Sequence, residues 1–167
     1  MKNIYLIGMM GSGKTSTARE LSALLSMPLI DLDAELEMKS GKKIAEIFRE
    51  KGEDWFRDTE TSILTRYPAD TSAVFATGGG VVIREENREW MRACGTVVYL
   101  ETDLEDLWKR VSKETGRPLL EDFDPKQKLM SILNTRQPLY EDCANVRVVT
   151  NGKTPREVAV EIEKKLK

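Results

Sequence analysis

Gly8-Met9-Met10-Gly11-Ser12-Gly13-Lys14-Thr15 fits the pattern GxxxxGK[ST] at every defined position, and its flanks decide how it folds. Just before it, Asn3-Ile4-Tyr5-Leu6-Ile7 is a short apolar run with the character of a buried parallel strand. From Lys14 onward the spacing turns helical, with Ala18, Leu21 and Leu25 on one face and Arg19 and Glu20 turned away. A strand, a glycine loop and a helix N-terminus in succession form an anion cradle, because the glycines let successive backbone N–H groups point inward. The reading assigns Gly11, Ser12, Gly13, Lys14, Thr15 and Ser16 to a nucleotide phosphate site, with Lys14 reaching the β/γ-phosphates and the Thr15 hydroxyl ligating Mg²⁺. A glycine turn that merely precedes a helix would not require the Lys, the Thr and the strand together.

Working outward, Pro28-Leu29-Ile30-Asp31 reads as a second strand, followed by an acidic segment through Glu37 and a break at Gly41. Helical periodicity returns at Ile44, Ile47 and Phe48, and again from Trp55 to Leu64. Ala73 to Thr77 is a third strand running into Gly78-Gly79-Gly80, then a polar helix spans Arg84 to Met91 and a fourth strand Thr96 to Leu100. A helix from Leu104 to Ser112 leads into residues 113–125, which lack periodicity and read as a mobile lid. Lys126 to about Leu133 is helical, Val146 to Thr150 is a fifth strand, and Thr154-Pro155 opens a last helix ending near Leu166. The alternation predicts an α/β, three-layer P-loop NTPase fold: one domain over residues 1–167, with a five-stranded parallel sheet covered by helices on both faces.

Composition narrows the function. Lys and Arg total 26 against 28 Asp and Glu, so no basic field favours nucleic acid or a membrane surface, and the expected partners are small molecules. No apolar run reaches the length of a membrane span and no cleavable signal pattern follows Met1, which reads as a cytoplasmic protein. Cys94 and Cys143 stand far apart with no CxxC spacing and read as reduced thiols. Histidine is absent, which excludes Ser-His triads, HExxH zinc sites and imidazole proton shuttles; a general base must be a carboxylate, a Lys or the substrate.

Many nucleotide-binding proteins with this loop carry an Asp at the end of another strand, but here the third strand runs into three glycines. Asp31, at the carboxyl end of the second strand, is the candidate for the Mg²⁺ shell, through water; a helix cap is the other use for it. Asp33, two residues on, leaves an extended backbone on the same side as Asp31 and is the candidate to orient an acceptor hydroxyl and take its proton, with capping again the alternative.

The chain resembles the shikimate kinase family through the loop motif followed in order by Asp31-Leu32-Asp33, Phe56-Arg57-Asp58-Thr59-Glu60 and Gly78-Gly79-Gly80. The resemblance covers essentially the whole chain; Leu32 stands where relatives commonly have Thr. It implies ATP-dependent phosphorylation of shikimate at its 3-hydroxyl, with Asp33 as base and Lys14 and Arg117 stabilising charge. It further implies that Asp33 and Arg57 bind shikimate hydroxyls and carboxylate, that Gly78, Gly79 and Gly80 close against its ring, and that Arg136 is a second carboxylate clamp. The acceptor region is expected to span about residues 31–64, and the protein is expected to be a monomer. Arg117, in Gly116-Arg117-Pro118-Leu119-Leu120, would swing from the lid onto the ATP phosphates, and Arg110 and Pro155 would sandwich adenine. Independently of family, a planar guanidinium grips a carboxylate with two parallel hydrogen bonds, so paired arginines suit an anionic acid. Without that context Arg57 and Arg136 would read as surface arginines and Arg117 as a solvated loop residue. Phe48, Trp55 and Phe56 could line an acceptor pocket, although aromatics at helical spacing are core by default. Rival readings are a gluconate-type or nucleoside monophosphate kinase, against which the FRxxE and GGG pair argues, and a non-catalytic ATP-binding module.

Overall fold

Strands β1 (Asn3–Ile7), β2 (Leu29–Asp31), β3 (Val74–Ala76), β4 (Gly95–Glu101) and β5 (Val146–Val149) form one parallel sheet in the order β2-β3-β1-β4-β5. This is the arrangement in a computed structural model, which describes residues 2–114, 117 and 120–167. The two-residue period of a strand sorts the core into two layers. Ile4 and Leu6 of β1 join Val74, Val98 and Leu100 on the face covered by α1 (Lys14–Leu25) and α7 (Pro155–Leu166). Tyr5 and Ile7 join Phe75, Val97 and Tyr99 on the other face. That face is covered by α2 (Leu32–Ser40), α3 (Ile44–Leu64), α4 (Glu85–Cys94), α5 (Leu104–Val111) and α6 (Pro125–Cys143). Both faces are therefore buried, and β1, the middle strand, has no exposed residue. Cys94 and Cys143 are free and buried.

Parallel pairing puts the carboxyl ends of β1, β2 and β3 on one edge, so the loops after them deliver Gly8 to Lys14, Asp31 to Asp33 and Gly78 to Gly80 to the same place. The glycine run leads into a 3₁₀ turn at Val81–Ile83, which Asn87 and Arg88 of α4 tie down by donating to the Val81 and Val82 carbonyls. The two periodic stretches in 44–64 are one helix broken at Gly52, whose φ of 82° only glycine adopts freely. Thr154 and Glu157 cap α7 reciprocally, with Pro155 in the first turn.

Two elements differ from expectation. The acidic segment after β2 is not extended; it is helix α2, with Asp31 as its N-cap. Helix α6 does not stop near Leu133 but continues through Pro138 to Cys143. A proline inside a helix removes a hydrogen bond and crowds the preceding turn, at a cost of about 3 kcal/mol. The helix persists because Leu133, Arg136, Tyr140 and Cys143 recur at helical spacing and are all buried, each large apolar side chain contributing roughly 1.5–3 kcal/mol. Among the described residues, no helix is long and apolar enough to cross a membrane.

Candidate active site

The loop between β1 and α1 turns on glycines in conformations that residues with a Cβ rarely adopt, Gly11 at φ 80° and Gly13 at φ 86°. A side chain at Gly11 would also strike Val111, its Cβ only 2.7 Å from Cγ1. Within this loop Lys14 is buried and its ammonium donates to the Gly8 and Met9 carbonyls, each at 2.8 Å. Burial pushes its pKa down to about 8, the Asp33 carboxylate opposing the shift and the Arg117 and Arg136 charges adding to it. Beside the loop, a second recess of about 300 Å³ is lined by Ser12, Gly13, Ser16, Arg110, Lys153 and Pro155. Arg110 is held there by donating to the Gly11 carbonyl at 2.9 Å. The expected adenine residues thus meet next to the phosphate loop, and Lys153, which sequence reasoning passed over, joins them.

Thr15 and Asp31 also meet: the hydroxyl donates to Asp31 Oδ2 at 3.0 Å. The other carboxylate oxygen accepts from the Asp33 and Ala34 N–H groups at 3.1 Å, capping α2. Capping, weighed as the alternative use for Asp31, engages one carboxylate oxygen and leaves the other on Thr15. No cluster of three or more acidic, Cys or His residues could hold a metal among the described residues. One hydroxyl and one carboxylate beside a phosphate cradle match the sparse protein coordination Mg²⁺ takes when phosphates and water complete its shell.

A cavity of about 410 Å³ opens beside this pair and is lined by Asp31, Asp33, Arg57, Gly78, Gly79, Gly80, Arg117 and Arg136. Asp31 and Asp33 face it together, but not through the pleat of a strand: Asp33 lies in the first turn of α2, held by the cap on its own N–H. Desolvation raises the pKa of Asp33, with Lys14, Arg57 and Arg117 opposing and Asp31 reinforcing the shift. Arg57 is 6% exposed, donates to Glu60 at 2.9 Å and to Glu53 at 3.3 Å, and lies over the Phe56 ring. Arg136 is equally buried and, among the described residues, forms no ion pair, although its charge acts on Glu60 at longer range.

The glycine run makes room for these groups. A Cβ at Gly80 would lie 2.3 Å from Arg57 Nη1, and one at Gly78 would lie 2.5 Å from Glu60 Oε1 and 3.0 Å from Asp33 Oδ1. A Cβ at Gly79 would come within 3.6 Å of Arg136 Nη1. None of the three has positive φ, so the requirement is space and not backbone freedom. Arg117 reaches the cavity wall paired with Glu114, while Thr115, Gly116, Pro118 and Leu119 of the expected lid lie outside the described residues.

Sequence reasoning gave no role to Glu60 or Met10 and weighed Phe48 and Phe56 as pocket lining against core; all four line the cavity. Glu60 was legible in part, since an acid three residues after Arg57 on a helix faces it. Its burial raises its carboxyl pKa, with Arg57 opposing. Trp55, weighed with the two phenylalanines, is 38% exposed and outside the cavity.

Comparison with known proteins gives the family. Residues 10–167 match the family model described as shikimate kinase. The shikimate kinase of Pasteurella multocida is 40% identical over 162 residues, covering 96% of this chain and 93% of that protein. The one from Burkholderia lata is 41% identical over 148 residues, covering 89% and 80%. Among solved structures, shikimate kinase from Acinetobacter baumannii in complex with shikimate superposes with a TM-score of 0.96 at 40% identity, covering 99% of this chain and 93% of that one. With the loop, the paired acids and the buried arginines in place, the chain belongs to the shikimate kinase family.

Proposed function

We propose that this chain transfers the γ-phosphoryl group of ATP to the 3-hydroxyl of shikimate, giving shikimate 3-phosphate and ADP. The observation that carries the reading is one cavity in which two buried arginines, one in no ion pair among the described residues, face Asp33 beside the phosphate loop. Arg57 and Arg136 grip the substrate carboxylate and leave the ring against Gly78, Gly79 and Gly80, whose lack of side chains allows close approach. Asp33 accepts the proton of the attacking hydroxyl, and its raised proton affinity suits it to that step. As the oxygen bonds to the γ-phosphorus, the bond to the bridging oxygen breaks and ADP leaves. Lys14 and Arg117 stabilise the charge on the transferring group, and Arg110 and Pro155 flank the adenine. Mg²⁺, held by Thr15 and, through water, by Asp31, would offset phosphate charge. The protein acts as one domain and as a monomer in the cytoplasm, with small-molecule partners and no nucleic acid or membrane.

The test is ADP release from MgATP in a coupled assay, with shikimate, gluconate or AMP as acceptor. Turnover that requires shikimate is expected. Release without an acceptor, or preference for gluconate or AMP, would overturn the assignment and leave only the nucleotide half of the site.

A further inference from the structure

Tyr140 lies fully buried on α6, one helical turn beyond Arg136, so both side chains leave the same face. Its ring stacks on Tyr99 of β4 at 5.1 Å and 21°. Its hydroxyl donates to the carbonyl oxygen of Gly79. The Arg136 guanidinium lies beside that hydroxyl, its charge and hydrogen bond opposing the rise that burial imposes on the phenol. The same guanidinium sits 3.6 Å from where a Gly79 Cβ would be. These contacts run in one direction: guanidinium to phenol oxygen, phenol hydrogen to Gly79 carbonyl. A peptide unit is planar and trans, so holding the Gly79 carbonyl towards the buried Tyr140 hydroxyl turns the Gly80 N–H in the opposite sense. That N–H makes no hydrogen bond among the described residues, although Gly80 is buried at the cavity wall. Each link polarises the next, so a charged donor at one end strengthens the donor at the other.

We infer that Tyr140 is a positioning residue for the acceptor site: its hydroxyl joins Arg136 to the Gly79–Gly80 peptide, setting together the two donors that α6 and the glycine loop present to an anionic acceptor. Tyr140 touches no reacting atom. The inference rests on the acceptor reading above and adds a residue to it.

The experiment compares wild type, Tyr140→Phe, Arg136→Lys and the double variant, measuring kcat and KM for shikimate at saturating MgATP and ATP affinity by calorimetry. Phenylalanine keeps the ring and its stacking while removing the hydroxyl. The expected result is a roughly tenfold rise in shikimate KM, about 1.4 kcal/mol, with kcat and ATP affinity little changed. The double variant should lose less than the product of the two single effects, because both act through one chain of contacts. Cys143→Ala, a core truncation on the same helix, should lower thermal stability and leave shikimate KM unchanged. An unchanged KM in Tyr140→Phe, a parallel loss of ATP affinity, or a Cys143→Ala protein with the same KM defect would each overturn the positioning role. Absence of shikimate turnover in the wild type would instead overturn the proposed reaction, so the two failures are distinguishable.

Discussion

Replacing Gly80 by alanine tests the steric logic of the cavity more sharply than removing a charge. The added carbon would lie 2.3 Å from Arg57 Nη1 and 2.4 Å from both Cζ and Nη2, in contact with the flat face of the guanidinium. An ordinary separation of ~3.5 Å requires a retreat of about 1 Å. The guanidinium has little space to take it. Glu60 holds one side at 2.9 Å and is itself 2% exposed, Glu53 holds another at 3.3 Å, and the Phe56 ring lies beneath. If Glu60 stays, its bond to Arg57 stretches beyond hydrogen-bonding range. Overpacking of this kind costs roughly 1–3 kcal/mol, and misplacing a substrate-positioning group by about 1 Å costs up to ~100-fold in rate. The expected outcome is a shikimate KM raised about 10- to 100-fold, equivalent to ~1.4–2.8 kcal/mol, with ATP affinity retained because the phosphate loop is untouched. Gly79→Ala is the internal comparison: its nearest neighbour, the Met10 nitrogen, is 3.3 Å away, so its defect should be smaller. Initial rates against shikimate at saturating MgATP, with ATP titration by calorimetry, give both quantities. A folded Gly80→Ala protein with shikimate KM within about twofold of wild type would refute the argument.

Arg136→Lys should raise shikimate KM and leave ATP affinity nearly intact, because an ammonium cannot form two parallel bonds to a carboxylate; an unchanged KM removes Arg136 from the acceptor site. Asp33→Asn should abolish turnover yet raise thermal stability at neutral pH. The sign follows from the direction of the shift: a carboxyl whose folded pKa is raised favours the folded state only while protonated, and that contribution is lost as pH rises through the folded pKa. Melts across pH 4.5 to 8 should show the gain shrinking as pH falls, and a pH-independent gain would count against ionised Asp33 as its source. Lys14, held near 8, is largely neutral at pH 8.5 in the free protein and should gain a proton when phosphates arrive. Calorimetry of ATP binding in buffers of different ionisation enthalpy should therefore show proton uptake at pH 8.5 that vanishes at pH 6.5; no uptake at the higher pH would disprove the assignment.

The parts of the fold legible in the sequence were those with a local cause. The loop from Gly8 to Thr15, the alternating strands and the Thr154-Pro155 start each follow from backbone freedom, side-chain period or a cap, and all lie where the pattern put them. Helix α6 was truncated in the reading because Pro138 is a local stop signal, whereas the reason to continue, burial of Tyr140 and Cys143, is tertiary. The Asp31 and Asp33 pair was found by an argument from extended geometry that the chain does not adopt there. Both acids still face the cavity because a capped helix start also brings them to one side. Glu60 was visible only as a helical partner for Arg57 and Tyr140 not at all, since their contacts with the glycine run arise only in the fold: Glu60 under Gly78, and Tyr140 under Gly79.

The cavity also has a charge arrangement that its substrate would complete. Arg57 is neutralised within the protein by Glu60 and Glu53, so its cost of burial is largely met before any ligand binds. Arg136 is just as buried and lacks such a partner among the described residues, and its field helps to depress the Lys14 pKa. A carboxylate arriving at Arg136 would offset a charge that only Glu60 meets at longer range, and reduce one of the smaller influences holding Lys14 towards its neutral form. Raising the Lys14 pKa favours the ammonium that a polyphosphate requires.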